Sequence, residues 1–506
     1  MRNDCLTFSS LTEADRARGV KAGLFRASRS KDEIADAFNP VMNYDSRVLK
    51  THDREPAAKG SVAMIDIGSF PCGTCQGVNR RTFLRAGFAA PFALAVAGPG
   101  TLVAAEAPKA KSILLVWLGG GPSHLDLFDP KPKAPAEYRG PFTTIATRTP
   151  GVRFTELLPR LAARSDKYSL IRSNVNFNDG HREAGSIALT GASAATKVYP
   201  PNFGSIVARQ RGHDALPRFI SLARGPIGDG VGPIQGSGGG TWGHGHDPFL
   251  IGCTEKGELE IPSLKLASGL TPGRLEDRQF LLAELDRVQR DADAGQYEVW
   301  DNLRQRAHAL LTSPQGVAAL DLSRVSTATR EAYGQTSFGQ SCLLGRRLVE
   351  AGVPYVQVNW SRYVEVYYTF SDYGWDTHAD NFALLAEWHG PLFDRVFSAL
   401  VDDLENRGLL ETTLLVCMGE FGRTPRINDI GSRDHWHPCY FSLWAGAGVQ
   451  PGRTIGESDA RGEHPVSDPI TPAMVGTTML ELAGISSATR AALRVLPEGR
   501  VIHELF

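Results

Sequence analysis

From residue 111 onward, short runs of apolar residues alternate with longer segments whose apolar residues recur at helical spacing. The runs are SILLVWL (112–118), YSLIRS (168–173), FISL (219–222), YVQVNW (355–360) and TLLVCMG (413–419). Runs this short, without regular polar alternation, are typical of strands that are buried on both faces of a sheet. Strands that alternate with helices form a mostly parallel sheet covered by helices, so the sequence predicts an α/β fold.

The segments between these strands carry the helical signal. One amphipathic helix is predicted between the last two strands, where apolar residues recur three or four positions apart. These residues are Phe382, Leu385, Trp388, Leu392, Val396 and Leu400. A second helix is predicted just before residue 355, and its apolar positions are Phe338, Cys342, Leu344 and Leu348. The charged segment 274–312 also has helical periodicity and is predicted to be an insertion into a single domain of residues 106–506.

An export signal is predicted near the N-terminus. Arg80 and Arg81 precede an apolar run that ends in the small-residue sequence Val-Ala-Ala at 103–105. This order resembles a signal for the twin-arginine export machinery, which moves folded proteins across the bacterial inner membrane. Residues 64–105 are therefore predicted to be the signal segment. Residues 1–63 are either a disordered leader or the product of a misplaced translation start.

The predicted location follows from this signal and from the charge of the chain. Pro91 and Pro99 make the apolar run a poor permanent membrane span. We expect a periplasmic or extracellular protein, either free or anchored by an uncleaved signal. The chain has 54 basic and 55 acidic side chains and a formal net charge of -1. Near-zero charge without a basic stripe argues against nucleic acid or an anionic membrane surface as the main partner.

Polar residues cluster in the loops that follow the predicted strands. In a parallel sheet, the loops after the carboxyl ends of the strands converge on one crevice, where functional groups gather. The loops in question are GGGPSHLDLFDP (119–130), NFNDGHREAGSIALTG (176–191), GWDTHADN (374–381), GEFGRTP (419–425) and SRDHWHP (432–438). We therefore expect these five segments to form the functional site.

Oxygen and nitrogen donors in the last three loops predict a divalent metal site. Carboxylates and imidazoles together suit zinc, manganese or iron(II). On an extended segment, residues two positions apart point the same way, as Asp376 and His378 would. For His435 and His437 two assignments are open, because either one can be the ligand and the other its hydrogen-bonding partner. The candidate ligands are Asp376, His378, Glu420, Asp434, His435 and His437.

The loop after the first strand is the candidate substrate-binding segment. Gly120 and Gly121 can form a backbone nest for a phosphate or sulfate oxygen, or simply a tight turn that needs positive φ. Ser123 has His124 and Asp126 nearby, as a nucleophile would, but the sequence GPSHL lacks the second glycine of a nucleophile elbow.

Six motifs taken together resemble the DUF1501 family, an exported family placed near the sulfatases in the alkaline phosphatase superfamily. They are LGGGPSHLDLFDPKP, WGHGHDPF, SFGQSCLLGRRLVEAGV, GWDTHADNF, GEFGRTPRIN and SRDHWHPCYFSLWAGAGV, within residues 111–495. The resemblance implies a doubly wound, mostly parallel α/β fold of the alkaline phosphatase and sulfatase type. It also implies metal ions and an anionic ester substrate, either a small molecule or a polysaccharide.

The sequence departs from that superfamily at three positions. Its hydrolases hold two metal ions with aspartates and histidines, and attack the ester with a Ser, Thr or formylglycine nucleophile. The resemblance places Leu118 where an aspartate is usual, His181 at the nucleophile position, and Glu420 with Phe421 where an Asp-His pair is usual. His181 would then attack the ester directly or act as the general base for a water molecule at the metal.

Two functions remain open from the sequence. The retained carboxylates and histidines favour an exported metal-dependent hydrolase of sulfate or phosphate esters, with His181 as a catalytic group. Arg423 would either clamp the anionic ester through two hydrogen bonds or form a structural salt bridge. Leu118, His181 and Phe421 favour the alternative, a sulfatase-like fold that has lost catalysis and acts as a periplasmic binding or scaffold protein.

Overall fold

All five apolar runs form strands of one sheet in the computed structural model. The structure describes residues 109–211, 216–223, 233–261, 310, 313–360 and 374–506. The predicted leader, the predicted signal segment and nearly all of the predicted insertion at 274–312 lie outside these residues.

The strands are numbered in chain order over the described residues. They are β1 Ser112–Leu118, β2 Thr144–Ala146, β3 Arg153–Thr155, β4 Ser169–Asn174, β5 Phe219–Leu222, β6 Phe249–Cys253, β7 Leu259–Glu260, β8 Tyr355–Trp360, β9 Thr413–Met418, β10 Gly422–Arg423, β11 His435–Trp436, β12 Tyr440–Ala445 and β13 Thr454–Ile455. The five predicted strands correspond to β1, β4, β5, β8 and β9, and their observed ends lie within one residue of the predicted ones.

The main sheet, as far as the described residues show it, has nine strands in the order β13-β4-β12-β9-β1-β8-β5-β6-β7. The central strand β1 is parallel to β8 and to β9, and β5 is parallel to β8 and to β6. These pairings confirm the mostly parallel sheet. β12 runs antiparallel to both β4 and β9, and the analysis of apolar runs did not assign it as a strand.

The helices of the described residues connect and cover these strands. They are α1 His124–Leu127, α2 Ala136–Arg139, α3 Pro159–Ala162, α4 His181–Thr190, α5 Phe203–Gln210, α6 Pro314–Leu320, α7 Thr327–Ala332, α8 Ser337–Glu350, α9 Asn381–Leu384, α10 Gly390–Asn406, α11 Pro472–Leu482 and α12 Ser487–Leu493. The predicted helix before residue 355 is α8. The other predicted helix is divided into α9, a π-helical turn at Leu385–His389, and α10. Within the described part of the chain, no helix combines the length and apolarity needed to cross a membrane.

Two hydrophobic cores lie on opposite faces of the sheet. Successive side chains of a strand point to opposite faces, and β1 follows this rule over its whole length. Leu114, Val116 and Leu118 belong to one core, together with apolar residues of α8 and α10. Ile113, Leu115 and Trp117 belong to the other core, with apolar residues of α4, α5 and α11. The sheet is therefore covered by helices on both faces, which confirms the doubly wound α/β class.

The strand directions bring the polar loops to one edge of the sheet. β4 and β9 are both antiparallel to β12, so they run in the same direction, and β9 is parallel to β1 and indirectly to β8. The carboxyl ends of these four strands therefore meet at the same edge. The loops that follow them contain the residues predicted to form the site.

Candidate functional site

Backbone and side-chain hydrogen bonds tie the loops together at this edge. The Trp375 N–H donates to the carbonyl oxygen of Gly119 at 2.9 Å, which attaches the loop before α9 to the end of β1. The side-chain amide of Asn176 donates to the carbonyl oxygen of Glu420 at 2.7 Å, which attaches the loop after β4 to the end of β9. These contacts place Asp376, His181 and Glu420 side by side although they are far apart in the sequence.

Three imidazoles converge on the carboxylate of Asp376. Nε2 of His181 lies 3.1 Å from Oδ2 of Asp376, while Nε2 of His378 and Nε2 of His435 each lie 3.1 Å from Oδ1. The Nε2 atoms of His378 and His435 are 2.8 Å apart. The same ring nitrogen of each histidine thus faces the carboxylate of Asp376, that of His181 at one oxygen and those of His378 and His435 at the other.

An oxygen atom contacts the opposite nitrogen, Nδ1, of each of the three rings. The contacts are from His181 to Oε1 of Glu420 at 2.8 Å, from His378 to Oδ1 of Asp434 at 2.7 Å, and from His435 to the carbonyl oxygen of Asp179 at 2.7 Å. A carbonyl or carboxylate oxygen only accepts, so each Nδ1 carries the proton. In a neutral ring the lone pair of Nε2 can then bind a metal ion, and the hydrogen bond at Nδ1 fixes the orientation of the ring.

Arg423 forms a buried salt bridge with the carboxylate of Asp376. This fully buried side chain donates from Nη2 to Oδ1 of Asp376 at 2.6 Å and from Nε to the carbonyl oxygen of Gly121 at 2.9 Å. Nη2 also contacts the carbonyl oxygens of Gly120 and Trp375. Arg423 therefore forms a buried salt bridge with Asp376. A structural salt bridge was one of its two predicted roles.

The protonation of the centre depends on these contacts. Burial alone would raise the pKa of Asp376, but the hydrogen bonds from the histidines and the charge of Arg423 hold it well below its usual value. Burial alone would lower the pKa of His181, but its bonds to Asp376 and Glu420 raise it to about 9. The hydrogen bond to Asp376 raises the pKa of His378, whereas burial lowers that of His435.

The donors fit a divalent transition metal ion. Donor atoms of His181, Asp376 and His435 all lie within 4.8 Å of one another, the one such group of three found among the described residues. Zinc binds imidazole nitrogen and carboxylate oxygen at about 2.0–2.2 Å, so atoms this close can share an ion after small adjustments. The carboxylates of Asp376, Glu420 and Asp434 outnumber the guanidinium of Arg423 three to one. An ion with two positive charges would balance them.

The residues predicted to be ligands fall into three positions. Asp376, His378 and His435 face the centre. Glu420 and Asp434 do not face the centre. Glu420 accepts a hydrogen bond from Nδ1 of His181, and Asp434 accepts one from Nδ1 of His378. His437 contacts the side chain of Asp179 through its own Nδ1, so of the two assignments left open for His435 and His437 the structure places His435 at the centre.

His181 lies among the donors, a position that the sequence analysis did not assign to it. It begins α4, and its side chain is 6% exposed. Both ring nitrogens contact carboxylates, Nδ1 that of Glu420 and Nε2 that of Asp376. His181 therefore lies between two carboxylates, and its catalytic role stays a prediction.

The residues predicted to bind substrate are buried in the loop after β1. Gly120 and Gly121 have φ values of 110° and 80°, which require glycine, and the Gly120 N–H donates to Oε1 of Glu420 at 2.7 Å. Ser123 caps α1 and donates to Oδ2 of Asp126 at 2.7 Å, and Nε2 of His124 contacts the carbonyl oxygen of Gly462 at 2.8 Å. These contacts stabilise the loop.

Asp126 belongs to a second buried cluster. Its two carboxylate oxygens accept hydrogen bonds from Nε of Arg433 at 2.7 Å and from Nη2 of Arg433 at 3.0 Å. Arg433 immediately precedes Asp434 and His435, so this bidentate pair fixes the start of the segment that carries them.

Besides Arg433, the sequence analysis missed two residues that support the site, Asn176 and Asp179. Asn176 joins two loops through its amide, and Asp179 holds His435 through its carbonyl oxygen. Both lie in the loop NFNDGH, which the sequence analysis did place at the site. Every residue has a backbone carbonyl, so the residue type at position 179 could not predict the contact with His435.

An α/β sheet whose strand ends bring three imidazoles to one carboxylate defines a candidate α/β metalloprotein. The chain belongs to the DUF1501 family, described as a protein of unknown function, whose profile matches residues 110–506. This confirms the resemblance seen in the six motifs. No curated protein matches the chain.

Several solved structures are similar to this chain at low sequence identity. The PsFucS1 sulfatase from Pseudoalteromonas sp. is 11% identical, with a TM-score of 0.32, over 75% of this chain and 68% of that one. The alkaline phosphatase from the Antarctic bacterium TAB5 is 10% identical, with a TM-score of 0.30, over 76% and 100%. The phosphonate monoester hydrolase SpPMH from Silicibacter pomeroyi is 12% identical, with a TM-score of 0.32, over 77% and 75%. Similarity at these TM-scores does not support an inference about activity.

Proposed function

We propose that this protein binds one divalent transition metal ion and uses it to hydrolyse sulfate or phosphate esters. The observation that carries the proposal is the convergence of three Nε2 atoms on Asp376, each ring being held at Nδ1 by an oxygen. His181, Asp376, His378 and His435 are the proposed ligands. When bound, a divalent cation would supply Lewis-acid polarisation of an ester oxygen.

The residues of the chain have distinct tasks in this proposal. Glu420 and Asp434 fix the tautomer and orientation of His181 and His378, and Arg423 orients the carboxylate of Asp376. Imidazole nitrogens together with one carboxylate suit zinc, iron(II) or manganese, with zinc favoured by three nitrogens. An anionic ester fits because a divalent ion attracts sulfate or phosphate oxygens.

The experiment is metal analysis of the purified protein followed by an ester assay. We expect one zinc, iron or manganese ion per chain in the wild type, and at least about tenfold less metal in His435→Ala, because a ligand is lost. His437→Ala is the matched control and should keep the metal, since His437 contacts Asp179 instead of the centre. Wild-type protein without stoichiometric metal would contradict the proposal.

A second candidate function is that of an exported binding or scaffold protein without catalysis. It is favoured by His181, whose ring nitrogens are both engaged by carboxylates at the position that the resemblance gives to a nucleophile. The assay separates the two candidates. Turnover of aryl sulfates or aryl phosphates by metal-loaded protein, abolished in His435→Ala, supports the hydrolase, whereas metal binding without turnover on a broad ester panel supports the scaffold.

We further propose export through the twin-arginine route, with the protein acting in the periplasm or outside the cell. The support is the pair Arg80 and Arg81 before an apolar run. Replacing both arginines with lysine should retain the protein in the cytoplasm, as cell fractionation would show. Unchanged export of that variant would contradict this route.

A further inference from the structure

The four donors around the centre differ in their exposure to solvent. The side chains of His181 and Asp376 are 6% and 9% exposed, and that of His435 is 21% exposed. The side chain of His378 is 43% exposed, which is at least twice the value of each other donor. Of the four donors, His378 therefore has the largest contact with solvent.

The groups that hold His181 and His378 differ in the same direction as the two histidines. Glu420, behind His181, is completely buried and is itself held by the Gly120 N–H. A backbone carbonyl, that of Asp179, holds His435. Asp434, behind His378, has a side chain that is 48% exposed. A half-exposed pair of side chains is held less rigidly than a buried one, so His378 can leave the centre at lower cost than His181.

The buried donors are sufficient to hold an ion without His378. Donor atoms of His181, Asp376 and His435 already lie within 4.8 Å of one another. Three protein ligands with a fourth position open is the arrangement of zinc sites that bind an exchangeable ligand. His378 also lies in a loop outside helices and strands, between Gly374 and the start of α9, so its movement leaves the sheet intact.

Building on the metal site proposed above, we propose that His378 is an exchangeable ligand. His181, Asp376 and His435 keep the ion, and an anionic oxygen ligand, such as the phosphate or sulfate group of a substrate, takes the coordination position of His378. The anion reaches the centre from the solvent side, and the departing imidazole stays paired with Asp434.

The experiment uses cobalt(II), whose visible absorption reports the number and type of its ligands. The full-length protein is loaded with cobalt(II), and the dissociation constant is measured for the wild type, His378→Ala and His435→Ala. We expect His378→Ala to keep one cobalt per chain with affinity reduced no more than about tenfold, and His435→Ala to lose at least about 100-fold. His378→Gln, which keeps size and polarity, is measured in parallel in case the alanine variant does not fold.

Titration with inorganic phosphate then tests the exchange itself. Phosphate should shift the cobalt absorption bands of both proteins, at a concentration at least about tenfold lower in His378→Ala, because no imidazole competes for the position. Imidazole added to His378→Ala should restore the wild-type spectrum.

Three results would contradict either the exchange of His378 or the metal site itself, and they can be told apart. Loss of cobalt from His378→Ala and His378→Gln as severe as from His435→Ala would show that His378 is an indispensable ligand. Bands of His378→Ala that do not move at saturating phosphate would show that no anion takes its place. A wild type that binds neither cobalt nor zinc would instead contradict the proposed metal site.

Discussion

Three histidines of the centre share one arrangement, in which Nδ1 is held by an oxygen and Nε2 faces Asp376. The holding groups differ in kind: a buried carboxylate for His181, a half-exposed carboxylate for His378 and a backbone carbonyl for His435. Ligand orientation is therefore built from residues that do not themselves face the centre. The contribution of each holder should increase with its burial, because water competes less for the hydrogen bond.

Glu420→Gln should reduce zinc affinity by about 10–100-fold, since loss of the charge behind His181 weakens the orientation and basicity of the ring. Asp434→Asn should have a smaller effect, less than about tenfold, because this carboxylate is half exposed. Competition with a chromophoric chelator measures both affinities. Glu411→Gln, on an exposed turn, is the control and should match the wild type. Equal affinities for Glu420→Gln and wild type would show that Glu420 does not act through His181.

At the scale of elements, the loop that carries Asp376 and His378 meets α9 through an unusual backbone conformation. Asp380 precedes Asn381–Leu384 with φ 55° and ψ 25°, the left-handed region, and it is exposed. An L-residue pays roughly 1–2 kcal/mol for this conformation, whereas glycine does not. This strained residue lies where the chain leaves the site and enters α9.

Asp380→Gly should leave the unfolding free energy unchanged or raise it by up to about 1 kcal/mol, because the strain disappears. Asp380→Val should lower it by more than about 1 kcal/mol, because a β-branched residue tolerates positive φ poorly. Urea denaturation of both variants checks the order. A valine variant as stable as the glycine variant would show that the turn relaxes to another conformation.

The π-helical turn after α9 ends at His389, whose ring stacks on Trp360 with centroids 5.4 Å apart. Its Nε2 contacts the carbonyl oxygen of Gly374 at 3.0 Å, and burial lowers its pKa. A histidine that stays neutral when folded but takes up a proton when unfolded stabilises the protein above the unfolded pKa. That stability is lost as the pH falls below about 6.5, by at most about 1.4 kcal/mol per pH unit.

His389→Phe should therefore make stability less sensitive to acid. Between about pH 7 and about pH 5.5, the metal-free wild type should lose more unfolding free energy than the variant, because only the wild type must keep this ring neutral. Chemical denaturation of both proteins at the two pH values, with a chelator present, gives the difference. An identical pH dependence would mean that His389 is protonated in the folded protein.

At the scale of the whole molecule, the centre joins segments that follow three strands at one edge of the sheet. His181 follows β4, Asp376 follows β8, and Glu420 and His435 follow β9. An ion held by donors from such distant parts of the chain binds the folded protein far better than the unfolded one. Its binding free energy therefore adds to the stability of the fold.

Zinc at about 1,000 times its dissociation constant should stabilise the wild type by about 4 kcal/mol and raise the thermal unfolding temperature. A chelator should reverse the shift. His435→Ala should show much less of it at the same zinc concentration, whereas His437→Ala should behave like the wild type. Differential scanning calorimetry measures the unfolding temperature of the wild type with zinc, of the wild type with chelator, and of both variants with zinc. Equal shifts in wild type and His435→Ala would place the stabilising ion elsewhere.

The amino-acid sequence by itself determined five strands of the main sheet, two of its long helices and the loops in which the site lies. This was possible because apolar periodicity is a local property, and because parallel strands present their carboxyl ends at one edge whatever their order. It also singled out Asp376, His378 and His435, which carry donor groups suited to a metal.

Only the tertiary structure decided which donors face the centre and which hold them in place. His181 and Glu420 are separated by 239 positions, and Gly120 and Glu420 by 300, so no local pattern relates them. Their contacts depend on the order of β4, β9 and β1 in the sheet and on the orientation of each ring. A histidine has the same two nitrogens wherever it occurs, and the packed environment alone determines which of them carries the proton and which is left for a ligand.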